Sequence, residues 1–144
     1  MKYAEWNNKK QAEFNKLPIK FAFSQEQFNR ILEEFGLNED NCVEKLTRVS
    51  SGSYMLKEEV YLLDNLLSQH EKEFEELLKD DEFVYDMFIY ELGNHEYQIC
   101  EDDEDVINGC GLKISQINND KRLLSLYNKA KKEYWKMCLD NDWF

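Results

Sequence analysis

The chain has 144 residues, 42% of them apolar and 33% charged, and its nine Phe, eight Tyr and three Trp are enough to build a core, which excludes an intrinsically disordered chain. Thirty acids against eighteen bases leave a formal charge of −12, the wrong sign for gripping phosphate backbones or anionic lipid. No run approaches the roughly 18 apolar residues that span a bilayer, and the start MKYAEWNNKK lacks the apolar stretch of a secretion signal, so the expected location is the cytoplasm.

In chain order, YAEWNNKKQAEFNKL (3–17) sets Tyr3, Trp6, Phe14 and Leu17 near helical spacing, and Pro18 closes a first helix. IKFAF (19–23) alternates as a strand does. Ser24 and Gln27 form a capping-box signature ahead of a helix with Phe28, Ile31, Leu32 and Phe35 on one face and Gly36 as its stop. EKLTRVSSGSYMLK (44–57) reads as a hairpin turning at Gly52, locally basic through Lys45, Arg48 and Lys57. With strands near 19–23, 46–50 and 54–57 it gives a small antiparallel sheet, since a lone hairpin is only marginally stable.

From Glu58 to about Asp80 runs a long helix with Val60, Leu63, Leu66, Leu67, His70, Phe74, Leu77 and Leu78 on one stripe. EFVYDMFIYEL (82–92) is apolar nearly all round and reads as a buried central helix stopped by Gly93-Asn94. Residues 97–113 read as a loop with one helical turn near DVING. The last helix covers 118–139, capped by Asn118 or Asn119, with Leu123, Tyr127, Ala130, Tyr134 and Met137 facing in. The expected fold is therefore a single α+β domain over 1–144, predominantly helical, with four or five helices.

The charge is unevenly spread. Residues 58–105 hold eighteen acids against two bases, −16, whereas residues 1–20 and 106–144 each carry +3 and residues 21–57 carry −2. Basic helices packed beside the block would cancel part of its field, but six excess bases against sixteen excess acids leave negative surface exposed. Such a block attracts basic protein surfaces.

Motifs for chemistry are sparse. His70-Glu71 and His95-Glu96 do not extend to H-E-x-x-H, because Phe74 and Ile99 stand where the second histidine would sit. EDDEDVINGCG fails as a calcium loop, with Asn108 in the glycine position and Ile114 in that of the closing glutamate. Cys42, Cys100, Cys110 and Cys138 form no C-x-x-C pair and read as reduced, mostly buried thiols. There is no nucleophile elbow and no phosphate-binding glycine loop. His70 on its apolar stripe reads as a histidine at the core boundary, held by one hydrogen bond. The remaining candidate is Glu91 with His95 one helical turn on, joined by Glu96, as a divalent-metal centre of an enzyme.

FAFSQEQFNRILEEFGL, SSGSYMLK, HEKEFEELLKDDEFVYDMFIYELGNHEY and DVINGCGL, taken together, resemble a family of small proteins of bacteriophages and mobile elements in gut-associated and low-GC bacteria, with ELGNHEY the most specific segment. The resemblance spans roughly residues 17–125 and implies no catalytic residue. It implies a setting, the host bacterial cytoplasm, in which small accessory proteins block host defences. The expectation is a non-enzymatic, cofactor-free protein whose acids Glu71, Glu75, Glu76, Asp80, Asp81, Asp102, Asp103 and Asp105 imitate a phosphate backbone. Its partner would be the basic surface of a host nucleic-acid-handling or defence protein, such as a CRISPR effector, with no direct binding of nucleic acid or membrane. The alternatives are the metal-dependent enzyme at Glu91, His95 and Glu96, or an oligomeric structural or regulatory protein, such as a homodimer, in which the DNDWF tail packs Trp143 and Phe144 on a neighbour.

Overall fold

The computed structural model describes residues 1–144. The elements run α1 (Tyr3–Phe14), β1 (Lys20–Phe21), α2 (Gln25–Glu34), α3 (Cys42–Lys45), β2 (Leu46–Ser50), β3 (Ser53–Leu56), a 3-10 turn (Lys57–Glu59), α4 (Val60–Leu77), α5 (Asp81–Asn94), α6 (Tyr97–Cys100), α7 (Asp103–Gly109), α8 (Ile114–Asn118) and α9 (Lys121–Asn141). The fold is α+β and mostly helical. Nine helices replace the expected four or five, because α3, α6, α7 and α8 are each of seven residues or fewer, too short for apolar periodicity to declare them. The chain forms two compact units, residues 8–72 and residues 1–7 with 73–144.

In the unit of residues 8–72, the three strands make an antiparallel sheet in the order β1-β3-β2. Lys20 pairs with Tyr54, and Leu46, Thr47 and Arg48 pair with Leu56, Met55 and Tyr54. The hairpin turns where expected, at Gly52 with φ +76°, and the Phe23 ring lies where a Cβ on Gly52 would be. β1 is shorter than the expected 19–23 strand. Phe23 has left the ladder, because its N–H donates to the Gln27 side chain at 2.8 Å while the Gln27 N–H donates to Ser24 Oγ at 3.2 Å, which starts α2. α2 ends at Gly36, φ +72°, with the Leu37 N–H returning to the Leu32 carbonyl at 2.8 Å. Ala22, Ile31, Leu32, Leu46 and Met55 form the small core, with the Phe28 ring edge-on to Tyr54. α1 stops at Phe14 rather than Leu17, because the residue before a proline is disfavoured in the helical region.

In the other unit, α5 is the central element. It buries Phe83, Val84, Met87, Phe88, Glu91 and Leu92 but leaves Tyr90 half exposed, so it has an outer face that its nearly continuous apolar sequence did not show. α9 lies along it, with Phe88 and Tyr127 in edge contact at 5.1 Å, and Tyr3 and Trp6 join the same core. α9 begins at Lys121, capped by Asp120, whose carboxylate accepts from the Arg122 and Leu123 N–H groups at 3.0 and 3.1 Å; neither Asn118 nor Asn119 is its cap. The expected stop at Gly93-Asn94 also moves. α5 includes both residues, and Glu96 takes the left-handed turn at φ +49°.

The segment read as a loop with one helical turn near DVING carries α6 and, at that turn, α7. Asp102 caps α7, accepting from the Asp105 N–H at 3.1 Å, and Val106 and Ile107 are buried. Three acids in the first turn of α7 suit the positive end of the helix dipole. The Leu112 N–H closes the helix on the Ile107 carbonyl, with Gly111 at φ +80°.

Candidate functional site

The eight acids of the expected acidic surface fall on α4, at the start of α5 and at the start of α7; Glu71 lies in the unit of residues 8–72 and the other seven in the second unit. Glu71 and Glu75 are exposed, and Glu76 pairs with Lys79 at 2.8 Å. Asp80 caps α5 through the Glu82 N–H at 3.0 Å, and Asp81 binds Arg122 at 2.5 Å. Asp102 is the α7 cap, and Asp103 and Asp105 are drawn into the side-chain clusters described next. Asp105 meets His95 at the far end of α5 from Asp81, about 20 Å away at 1.5 Å per residue. Most of these acids thus hold the fold as well as carrying charge, a double duty that composition does not reveal.

Asp103 is the hub of the first cluster. Its Oδ1 accepts from the Tyr127 hydroxyl at 2.7 Å, the Tyr97 hydroxyl at 2.9 Å and the Lys131 ammonium at 3.4 Å. Burial, the largest single influence on its carboxyl, would raise its pKa, yet the two hydroxyls and Lys131 together hold it below the usual carboxylate range. Burial, then the bond to Asp103, pushes the Tyr97 hydroxyl up to about 12 and raises Tyr127 further still. A depressed carboxyl stabilises the fold above its unfolded value near 4 and loses that contribution as pH falls through the folded value. A raised phenol stabilises it below about 10 and loses its contribution as pH climbs beyond.

The unit's stability is therefore expected to fall at both extremes, and Asp103→Asn should flatten the acid limb of the urea midpoint plotted against pH. All three tryptophans, Trp6, Trp135 and Trp143, lie in this unit, so their emission reports its unfolding alone. An acid limb identical in the variant would contradict the assignment.

The second cluster is built on Glu91 and His95, one turn apart on α5. Glu91 is 4% exposed; its Oε1 accepts from the Tyr3 hydroxyl at 2.9 Å, and its Oε2 accepts from Asn94 at 3.3 Å and faces His95 Nε2 at 3.0 Å. His95 Nδ1 faces Asp105 Oδ2 at 2.7 Å. The Tyr3 N–H donates to Asp86 at 2.9 Å, so the start of α1 is tied to α5 at two points. Gly109 passes so close that a Cβ there would lie 2.4 Å from His95 Nε2 and 2.8 Å from Glu91 Oε2. Burial, then Glu91, raises both the Tyr3 hydroxyl and the Cys110 thiol above their ordinary values.

Of the expected Glu91, His95 and Glu96 trio, the first two meet, whereas exposed Glu96 does not join them and Asp105 does. Each imidazole nitrogen already faces a carboxylate, so neither is open to a metal or a substrate proton. No group of three or more His, Cys, Asp or Glu side chains is arranged to hold a metal ion. The i, i+4 spacing of Glu91 and His95 was legible; the parts played by Tyr3, Asp105 and Gly109 had no local signal, because they come from elsewhere in the chain.

His70 sits at the boundary of its own unit, with Nε2 3.5 Å from Glu13 Oε1, a carboxylate that Lys9 also reaches at 3.1 Å. The four thiols are free; Cys110 and Cys138 are buried, whereas Cys100 is exposed and Cys42 partly so. No helix is long and apolar enough to cross a membrane.

The chain matches no curated protein and no solved structure. Residues 2–133 match the family model described as "Family of unknown function (DUF7659)", a span that takes in both clusters, and the chain belongs to that family.

Proposed function

We propose that the chain is a non-enzymatic binding protein whose acidic surface engages the basic surface of a protein that handles nucleic acid. A host defence enzyme, met in the setting of a phage or mobile element, is the partner this reading favours. The observation that carries it is where the charge resides. The unit of residues 1–7 and 73–144 holds nineteen acids against nine bases, −10, while residues 8–72 hold eleven against nine, −2.

Two bases of α9 bind acids of the block, Arg122 with Asp81 and Lys131 with Asp103. Glu75, Glu82, Glu96, Glu101 and Glu104 remain exposed. A fixed array of carboxylates presents to a basic channel the kind of field that phosphates do, and such attraction weakens as salt rises. The metal-dependent alternative has less support, because His95 keeps no open nitrogen.

The test uses those five acids, since no side chain among them caps a helix or joins either cluster. The intact protein, passed over DNA-cellulose loaded with bacterial nucleic-acid-binding proteins, is expected to elute a subset of them at low salt. Replacing all five glutamates with Gln should abolish that elution while leaving the unfolding transition in place. No elution by the intact chain, or equal elution by the variant, would overturn the proposal.

A further inference from the structure

The exposed apolar side chains of the acidic unit collect at one end of it. Of its six exposed large apolar residues, four are Ile99 on α6 and Leu139, Trp143 and Phe144 at the end of α9. Ile99 and Leu139 are each 70% exposed, Phe144 66% and Trp143 46%.

These residues stand on ordered backbone. Asp142 turns left-handed at φ +54°, and the N–H groups of Asp142 and Trp143 both return to the Cys138 carbonyl. The Trp143 carbonyl accepts from the Gln98 side chain at 3.3 Å, which ties the tail to α6 beside Ile99. The Phe144 ring stacks parallel on Trp135 at 5.7 Å, and Trp135 meets the edge of buried Tyr97 at 6.0 Å. Leu139 lies one helical turn beyond Trp135, on the same face of α9. The tail therefore packs on its own chain, and what it leaves outward is a preformed apolar platform. Contiguous exposed apolar surface of this kind marks interaction sites.

The charges around the platform select its occupant. Glu96 and Glu101 flank α6, Asp140 and Asp142 flank Leu139 and Trp143, and all four are exposed. Lys136 is the one base in the last two turns of α9. A second copy of the chain would bring the same four acids against these, so like charge opposes self-association.

We infer that this platform anchors a cationic amphipathic segment of a partner protein, one or two large apolar side chains seated on Leu139, Trp143 and Phe144 and its Lys or Arg residues facing the four acids. The inference rests on the proposed binding function and adds the place where contact is made and an apolar requirement that charge alone does not supply.

The probes are two synthetic amphipathic peptides of equal positive charge, one with Leu at i, i+3, i+4 and i+7 on one helical face and Lys on the other, and one with Ser in place of each Leu, titrated by calorimetry. Burying even one leucine is worth roughly tenfold in affinity, so the intact chain is expected to prefer the Leu peptide by at least about that factor. Ile99→Ser with Leu139→Ser should erase the preference while leaving weak, salt-sensitive binding of both peptides. Circular dichroism checks that the double variant is folded, and either single substitution serves in its place if it is not.

Equal affinity for the two peptides in the intact chain, or a preference that survives the substitutions, overturns the apolar anchor while the acidic reading stands. Binding of neither peptide overturns both. A concentration-dependent dimer of the intact chain that the substitutions dissolve would make the occupant a second copy and overturn the inference.

Discussion

Glu91→Ala is expected to destabilise the acidic unit by about 3–5 kcal/mol, because it deletes a buried side chain and with it the acceptor shared by several hydrogen-bonding groups. The Glu91 carboxylate is the only group that holds Tyr3, Asn94 and His95 at once. Alanine would leave the buried Tyr3 hydroxyl without its acceptor at Glu91 and take one of two carboxylates from His95, while opening a void beneath α7. Glu91→Gln keeps a carbonyl oxygen for Tyr3 and fills the volume, so its cost should be smaller, about 1–3 kcal/mol for the hydrogen bonding it cannot reproduce. Urea unfolding followed by tryptophan emission measures both. Equal and small losses, under about 1 kcal/mol, would contradict the central place given to this carboxylate.

Gly109→Ala should be destabilising although Gly109 has helical backbone, for which alanine is ordinarily the better residue. The added methyl would lie 2.4 Å from His95 Nε2 and 2.8 Å from Glu91 Oε2, closer than such atoms pack. His95 can move aside only by giving up Glu91 or Asp105, and Glu91 is enclosed. Overpacking of this kind costs about 1–3 kcal/mol. The sign identifies the cause, and a double-mutant cycle sharpens it. In a His95→Ala background much of the clash is gone, so the same glycine substitution should cost clearly less. An equal cost in both backgrounds would mean that the close approach to His95 is not what demands glycine here.

The elements legible in the sequence were those whose signals are local. Ser24 and Gln27 mark the start of α2, Gly52 marks the hairpin, and the dense apolar run after Asp81 marks α5; each stands in the structure within a few residues of its expected place. The segment 97–113, expected as a loop with one helical turn near DVING, carries α6 as well and a two-turn α7 where that single turn is expected. Asp102 is a cap, the acids after it suit a helix N-terminus, and Val106 with Ile107 is too brief a pattern to declare α7.

The same limit applied to the candidate site. Glu91 and His95 are neighbours by helical spacing and could be paired on sight. Tyr3 and Asp105 reach them across 88 and ten residues, and Asp103 draws on Tyr97, Tyr127 and Lys131, as far as 28 residues away. Such partnerships are products of tertiary structure, and no periodicity announces them.

The acidic unit is discontinuous in sequence, since its opening seven residues precede the whole of the other unit. On the ribosome, Tyr3 and Trp6 emerge well before the groups they pack against, from Phe83 to Glu91, which are made some eighty residues later. Residues 8–72 carry all of their own sheet pairings, so the sheet needs no residue of the acidic unit. Closing the acidic unit then means joining ends separated by a long loop, which is slow when that loop is slack and faster once it has already condensed. Condensing the inserted unit first would thus shorten the search by which Tyr3 finds Glu91.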